Sequence, residues 1–432
     1  MTESIIPTDR AVLPRFSSGR LAAVGRKLVL DRIAGIQHGC LMVEENGTWQ
    51  NFGAAGRQTP LIARLHVHTP RFWTATAFGG SIGAAESYMA GQWTSDDLTA
   101  VIRIILRNPS VFQGLDQGLG RLTAPLHRLY HFLRRNTRQG SRRNISAHYD
   151  LGNDFYALFL DETMTYSAGI FPNPESTLKE ASLEKFDRIA RKLALSETDH
   201  VLEIGGGWGS FALYAASRFG CRVTTTTISA QQHRYAVAQV KVAGLEEQVT
   251  VLQQDYRDLT GAYDKLVSIE MIEAVGHHYL GDFFAACSRL LKPEGMMALQ
   301  AITIADQAYD QHVRSVDFIK RYIFPGTCIP STTVMLGAIA RRTDLRLFHM
   351  EELAPHYART LANWRRNFSA RLEAVRRMGF TKAFIRMWEF YLCYCEAGFT
   401  ERYLGSVQII LAKPLSRRAP IAPPLDNELR HL

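Results

Sequence analysis

The sequence predicts an α/β fold: a doubly wound, mostly parallel sheet preceded by a small N-terminal α+β domain. Two observations carry this reading. From about residue 180, short β-branched runs alternate with amphipathic stretches, the pattern of parallel strands joined by helical crossovers. A glycine-rich turn, V-L-E-I-G-G-G-W-G at 201–209, follows the first of those strands, where such folds bring backbone against a nucleotide-like ligand. The length of 432 residues adds a second domain, since one domain usually takes ~100–200 residues.

The elements follow in chain order. Residues 1–20 are polar and proline-containing and read as a flexible arm. The N-terminal α+β domain spans 21–110. In it Leu41–Val43 and Trp49 flank Asn46-Gly47, a hairpin turn pair. Ala63–His68 alternates, Phe72–Phe78 is aromatic and β-prone, and Ala84–Met89 and Asp97–Leu106 read as helices, the second capped near Ser95. Residues 111–146 form a basic amphipathic connector: seven arginines and no acid lie between Arg121 and Arg143, interleaved with Leu122, Leu126, Leu129, Tyr130, Phe132 and Leu133. An anionic membrane, a solvated linker face and nucleic acid all fit that pattern.

The larger domain spans 147–413. Its expected strands are His200–Ile204, Cys221–Thr226, Val249–Gln253, Lys265–Ile269, Met296–Ile302 and Ser406–Ala412. Its expected helices are Ala181–Leu195, Trp208–Phe219, Ser229–Ala243, Tyr279–Leu291, and two near Tyr357–Met378 and Thr381–Ala397. Residues 306–345 break the alternation and read as a lid inserted over the site; 414–432 read as a flexible tail.

Composition narrows the classes. Hydrophobic residues at 46% and charged residues at 21% exclude a disordered chain. Fifty Lys+Arg against 41 Asp+Glu give a net charge of +9, which favours an anionic partner. The uncharged run 322–340 is broken by Pro325, Gly326 and Pro330 and is not a membrane span. The N-terminus has Glu3 and Asp9 and no apolar stretch, so no secretory signal is expected. Six cysteines without paired spacing read as reduced thiols in a cytoplasmic protein. His277-His278 lacks further ligands at metal-binding spacing, so no metal is expected.

The spacing of the glycine loop selects its ligand. A dinucleotide pattern needs glycine at 210, where Ser210 stands, and an acid about 20 residues on for the ribose. No Asp or Glu occurs between Gly209 and Glu246. No Lys-Ser/Thr pair follows the loop, which excludes an ATP P-loop. The remaining pattern, E-x-G-x-G-x-G with Glu203, Gly205, Gly207 and Gly209, is that of S-adenosylmethionine sites.

Seven further segments stand in register with the loop: H-Y-D-L-G-N-D-F-Y (148–156), T-Y-S (165–167), T-I-S-A-Q-Q (227–232), Q-D-Y-R-D-L (254–259), E-M-I-E-A-V-G (270–276), R-Y-I-F-P-G (321–326) and Y-L-C-Y-C-E-A-G-F (391–399). In this order, over roughly 70–412, the chain resembles the cyclopropane-fatty-acyl-phospholipid synthases, including the mycolic acid cyclopropane synthases. The resemblance implies a class I methyltransferase fold with a seven-stranded sheet, S-adenosylmethionine as methyl donor, and an unsaturated acyl chain, usually on a phospholipid, as substrate. It places Glu203, Gly205, Gly207, Gly209 and Ser229 against the donor, Thr227 and Gln232 near its ribose, Tyr166 and Ser167 near its carboxylate, and Gln254, Tyr256 and Arg257 around its adenine. It implies a peripheral protein at the inner face of an anionic phospholipid membrane, without nucleic acid, and leaves a homodimer open.

The chemistry asks for three things. The alkene and the sulfonium methyl must be aligned within ~3–3.5 Å. The carbocation left on the acyl chain must be stabilised without being attacked, which aromatic faces do at ~0.5–2 kcal/mol each; Tyr309, Phe318, Tyr322, Phe324 and Tyr391 are the candidates, with most expected to pack the lid. A base must then take a proton. From the new methyl, this closes a cyclopropane ring; from a neighbouring carbon, it leaves a methylated alkene. Ring-forming relatives hold a bicarbonate base with Cys, Glu, His and Tyr, and the resemblance puts Ala168, Glu273, Gln300 and Arg365 at those positions. Glu270, where glycine is common in the family, creates a carboxylate pair with Glu273, and either carboxylate could be the base. Cys395 is a further candidate at the site. Ring formation, ring-free methylation to a methyl-branched or methylene chain, and a non-catalytic membrane-binding homologue stay open. A nucleic-acid methyltransferase is disfavoured by the acids in S-I-E-M-I-E-A-V-G.

Overall fold

The computed structural model describes residues 19–54, 61–111 and 151–421. Residues 1–18 of the expected arm, 112–146 of the connector, the first residues of the 148–156 segment and the end of the tail lie outside the described residues, while Gly19 and Arg20, read as part of the arm, begin a helix.

The N-terminal part is a four-stranded sheet in the order β2-β1-β3-β4, with three helices against it. Helix α1 (Gly19–Ile33) precedes β1 (Gly39–Glu45), β2 (Thr48–Ala54) and β3 (Ile62–Val67); α2 (Arg71–Met89), β4 (Trp93–Ser95) and α3 (Leu98–Arg107) follow. The hairpin closes as expected: Glu45 pairs with Thr48, and Asn46 and Gly47 both take positive φ, 53° and 78°. Two expectations are corrected. Phe72–Phe78 is helical, not extended, because Phe72, Trp73, Thr76, Ala77 and Gly80 are buried at helical spacing against α1; tertiary packing overrides β propensity here. The cap of α3 is Asp97 rather than Ser95, its side chain accepting from Ala100 N at 2.9 Å.

The larger part is a seven-stranded sheet in the order β10-β11-β9-β8-β5-β6-β7. Its strands are β5 (His200–Ile204), β6 (Arg222–Thr226), β7 (Val249–Leu252), β8 (Tyr263–Ile269), β9 (Leu291–Ile304), β10 (Arg346–Glu352) and β11 (Leu404–Ala412). Only β11 runs against the others. The sequence does not announce β10: it is an edge strand whose seven residues are all at least partly exposed, so no apolar run marks it. Helices α4 (Asn153–Ala157), α5 (Leu178–Leu193), α6 (Ser210–Phe219), α7 (Ala230–Val242) and α8 (Leu280–Leu290) complete the winding. Phe186, Ile189, Phe211 and Ala215 pack with Val201 and Val223 in one core cluster, and Phe283, Phe284, Met335 and Ile339 with Leu266 and Leu299 in another.

The 306–345 insertion folds as α9 (Asp306–Arg314), a π-helical turn (Ile319–Ile323) and α10 (Thr332–Arg342). The helix expected over Tyr357–Met378 is two, α11 (Ala354–Ala370) and α12 (Leu372–Arg377), and α13 (Lys382–Thr400) follows. Phe155 of the 148–156 segment meets the rings of Phe159, Phe368, Phe380, Phe384 and Trp388 at centroid distances from 4.9 to 6.2 Å. Each such pair adds about 0.5–1.5 kcal/mol beyond area burial, so this segment works as scaffold.

A single apolar cluster runs from the small sheet through α13 to the 306–345 insertion. Polar clamps fix that contact. Glu401 accepts from Arg103 at 2.6 Å and from Arg107 at 2.7 Å, and Tyr88 donates to Glu389 at 2.8 Å. Glu401→Ala is expected to leave the two guanidinium groups of α3 facing each other without a counter-charge. The cost is about 1–3 kcal/mol, and hydrogen exchange in 98–107 should accelerate while exchange in the seven-stranded sheet stays as it is.

Candidate active site

The strand ends β5, β6, β8 and β9 open onto a cavity of about 1010 Å³. The glycine loop forms its floor. Gly205 (φ 86°) and Gly206 both donate their N–H to Thr226 O at 3.0 Å, which draws the turn onto β6. A Cβ on Gly206 would stand 1.9 Å from Thr225 Oγ1, so only glycine fits. A Cβ on Gly207 (φ 55°) would meet nothing within 4 Å, which makes its backbone an open cradle. Glu203 is buried beneath, accepts from Thr225 Oγ1 at 2.6 Å, and is pushed up to about 7 by burial.

Gly205, Gly207, Glu203, Thr227, Gln232, Gln254, Tyr256, Arg257, Tyr166 and Ser167 all line the cavity. Thr227 donates to Gln232 Oε1 at 2.8 Å. Arg257 forks onto Asp255 at 2.8 and 2.6 Å, not onto Asp258, and Gln254 donates to Asp258 O at 2.9 Å. Tyr166 and Tyr391 share a hydroxyl–hydroxyl bond of 2.7 Å. Ser167 accepts from the fully buried Lys185 at 2.6 Å, whose ammonium burial lowers to about 8. Two expected donor contacts are not on the wall. Gly209 (φ 90°) starts α6 and faces Ala236, and Ser229 caps α7 through Gln232 N at 3.3 Å.

The carboxylate pair sits opposite the loop. Glu270 takes φ 50°, a left-handed conformation that costs a non-glycine residue about 1–2 kcal/mol. Its carboxylate accepts from Tyr357 OH at 2.7 Å, Gln300 Nε2 at 2.9 Å and Ala168 N at 3.0 Å. Burial raises its pKa, and Lys185, Tyr357, Gln300 and the Ala168 amide oppose the rise. Glu273 accepts from Ile302 N at 2.5 Å through Oε1, while Oε2 has no partner among the described residues. Burial and the Glu270 charge push Glu273 up to about 8. Both carboxyls are thus raised by burial; the Glu270 charge adds to the rise at Glu273, whereas a cation and three donors oppose it at Glu270.

Several substrate-side expectations change. Arg365 turns away and pairs with Glu396 at 2.7 Å. The helix explains this: Tyr357 and Trp364, seven residues apart, share the face of α11 that meets the site, and Arg365 lies past it. The phenol expected to be lost at 365 is supplied by Tyr357, which sequence reasoning treated only as a helix start. Lys185 was likewise read only as part of an amphipathic helix. Ala168 and Gln300 stand behind the wall and reach the cavity through Glu270. Tyr322 points to the small domain and donates to Glu86 at 2.5 Å, and Tyr309 bonds His277 at 2.7 Å. Phe324, Tyr391 and Cys395 line the cavity, and burial keeps the Cys395 thiol neutral. Among the described residues no group of His, Cys, Asp or Glu is arranged for a metal ion.

The open cradle at Gly207, the Thr227–Gln232 pair and the buried Glu203 suit S-adenosylmethionine. Around Glu270 the phenol, amide and backbone donors are already taken, and Gln300 Oε1 is bound by Gln408 at 3.0 Å, while Glu273 Oε2 is left without a partner among the described residues.

Fold and site together define a class I methyltransferase, and comparison with known proteins narrows the class. The family model for mycolic acid cyclopropane synthetase matches residues 136–409. The tuberculostearic acid methyltransferase of Mycobacterium tuberculosis is 39% identical over 380 residues, 83% of this chain and 86% of that protein. The cyclopropane-fatty-acyl-phospholipid synthase of Escherichia coli K12 is 33% identical over 365 residues, 83% of this chain and 90% of that one. A cyclopropane synthase structure from Mycobacterium tuberculosis superposes with TM-score 0.59 at 30% identity, over 63% of this chain and 98% of that one. A mycolic acid cyclopropane synthase complexed with SAH and CTAB gives 0.59 at 28%, with the same shares. The chain belongs to the mycolic acid cyclopropane synthetase family and is a methyltransferase.

The raised carboxyl of Glu273 makes a stability prediction. A group whose folded pKa exceeds its unfolded value contributes fully below the unfolded pKa, here 4.5, and that contribution is lost as pH rises through about 8. Glu273→Gln mimics the protonated acid. Its melting temperature relative to the parent protein should rise between pH 5 and 8; a constant difference across that range would contradict a buried neutral acid.

Proposed function

We propose that the protein methylates the double bond of an unsaturated acyl chain carried on a phospholipid, using S-adenosylmethionine, and that Glu270 takes the resulting proton to leave a ring-free product. The observation that carries this is Glu270 itself. A carboxylate stands at a left-handed position, held by three donors and facing the cavity.

S-adenosylmethionine, when bound, supplies an electrophilic methyl group. The chain's own residues do the rest. The Gly205–Gly207 backbone and Thr227–Gln232 hold and orient the donor. Positive charge developing on the acyl chain faces the rings of Tyr166, Phe324 and Tyr391, which attract it and cannot trap it. Glu270 accepts a proton from a neighbouring carbon, and the C–H electron pair returns to the chain as a new double bond. Glu273, protonated and with one oxygen unpartnered, adds no second negative charge.

The likeness to a tuberculostearic acid methyltransferase supports a methylated product. Ring closure is the second reading, favoured by the likeness to a cyclopropane-fatty-acyl-phospholipid synthase over 83% of the chain. A peripheral site of action at an anionic membrane belongs to the same proposal. It rests on the net charge of +9 and on a substrate held in a bilayer; among the described residues no helix is long and apolar enough to cross a membrane.

The product test is catalytic hydrogenation of lipid formed with deuterated methyl donor. Uptake of hydrogen is expected; a product inert to hydrogenation would be the ring and would overturn the ring-free route. Glu270→Gln should lower turnover by ~10²–10⁴ while leaving donor affinity within a few-fold, as for loss of a general base. In the parent enzyme, kcat should rise with pH through a midpoint above the ordinary glutamate value of 4.5, since the base acts deprotonated.

A further inference from the structure

The cavity of about 1010 Å³ is larger than a methyl donor needs, and the small domain builds part of its wall. Gly79, Gly80, Ser81 and Ile82 of α2 and Leu106 of α3 line it, continuous with the wall that holds Glu270. These residues precede the segment matched by the family model, which starts at 136.

The local structure of α2 is unusual there. Gly80 breaks the helix with φ 58° and ψ −144°. The two halves then fold tightly together: a Cβ on Gly83 would stand 2.0 Å from Ala75 O. At the apex, a Cβ on Gly79 would meet nothing within 4 Å, so position 79 faces open space within the cavity wall. The break is anchored from both sides. Glu86, a turn and a half beyond it, binds Tyr322 at 2.5 Å and Arg321 at 3.0 Å, and Arg386 donates to Tyr88 O at 3.0 Å. A wall so clamped keeps its distance from Glu270.

Polarity gives the chamber a direction. Ser81 and, across from it on α9, Gln307, Gln311 and Arg314 are exposed at the rim, whereas Phe324, Ile304, Leu361 and Phe399 line the interior. A lipid head group belongs at the rim and the methyl end of its chain inside.

We infer that the Gly79–Gly80 break is the carboxyl-end wall of the acyl chamber, and that its fixed separation from Glu270 selects the double-bond position, counted from the carboxyl group, that is methylated. This rests on the acyl-chain reading above and adds its specificity element. A larger side chain at 79 holds the carboxyl end further out, so a double bond further along the chain then reaches Glu270.

The test uses the full-length chain and phospholipid vesicles carrying eighteen-carbon chains with the double bond after carbon nine or after carbon eleven. Rates are read as labelled methyl incorporation. Gly79→Leu should raise the ratio of the carbon-eleven rate to the carbon-nine rate by about tenfold or more, the scale on which apolar pockets discriminate. Donor affinity, read by calorimetry, should stay within a few-fold. Leu106→Trp, which narrows the same passage from α3, should move the ratio in the same direction and serves if the first variant does not fold. An unchanged ratio in a folded variant, whatever the absolute rates, overturns the inference. A parent enzyme that methylates neither lipid would overturn the acyl-chain reading instead.

Discussion

The site depends on one constraint: a carboxylate enclosed where the backbone would prefer glycine. Glu270 at φ 50° is held by bonds to both its oxygens, Oε1 taking Ala168 N and Gln300 Nε2 and Oε2 taking Tyr357 OH. The support runs through the sheet. Gln300 on β9 donates to Glu270; Gln408 on β11 donates to Gln300 Oε1 at 3.0 Å; Lys192 on α5 donates to Gln408 Oε1 at 2.7 Å and pairs with Glu351 on β10 at 2.6 Å. Gln300 and Gln408 are partners in the β9–β11 register, so the single antiparallel strand places the second amide. A buried polar chain of this kind orients its last member tightly when every link is satisfied.

Charge is divided around that carboxylate. Lys185, fully buried and bonded to Ser167, favours the anionic form of Glu270, whereas Glu273 has only the Ile302 amide and lies under the Glu270 charge. Two adjacent glutamates thus sit in opposite electrostatic surroundings. A neutral thiol at Cys395 and the hydroxyl pair Tyr166–Tyr391 stand on the wall beside aromatic rings. Such a wall suits a substrate that passes through a cationic state.

What the sequence made legible follows from locality. Strand–helix alternation and the glycine loop are local patterns, and the sheet order and the loop's approach to β6 follow from them. The Glu270–Glu273 pair was visible for the same reason: both lie in one seven-residue segment. What failed was long-range or angular. Arg365 and Tyr357 sit on one helix, and only the rotation of α11 decides which of them faces the site. Tyr322 reads like any lid aromatic until its partner Glu86, 236 residues away, is in place. Phe72–Phe78 has strand-like composition and becomes helical because α1 lies close enough that a Cβ on Gly25 would stand 2.8 Å from Trp73 O. Edge strand β10 has no apolar periodicity to announce it.

Helix α13 ties the chemistry to the small domain. Tyr391, Tyr394, Cys395 and Gly398 line the cavity, while Arg386 and Glu389 bind Tyr88 of α2. At its end, Glu401 binds the two arginines of α3. A rigid helix transmits position rather than absorbing it, so the N-terminal wall and the donor-side aromatics move together or not at all. Helices α2 and α3 of the small domain and the strand ends of the seven-stranded sheet border one chamber, built between domains that share no strand. Proton transfer from carbon needs the base close to one particular C–H bond. Tyr357 of α11 holds Glu270 and α11 packs along α13, so the carboxylate and the wall from the small domain belong to one packed frame.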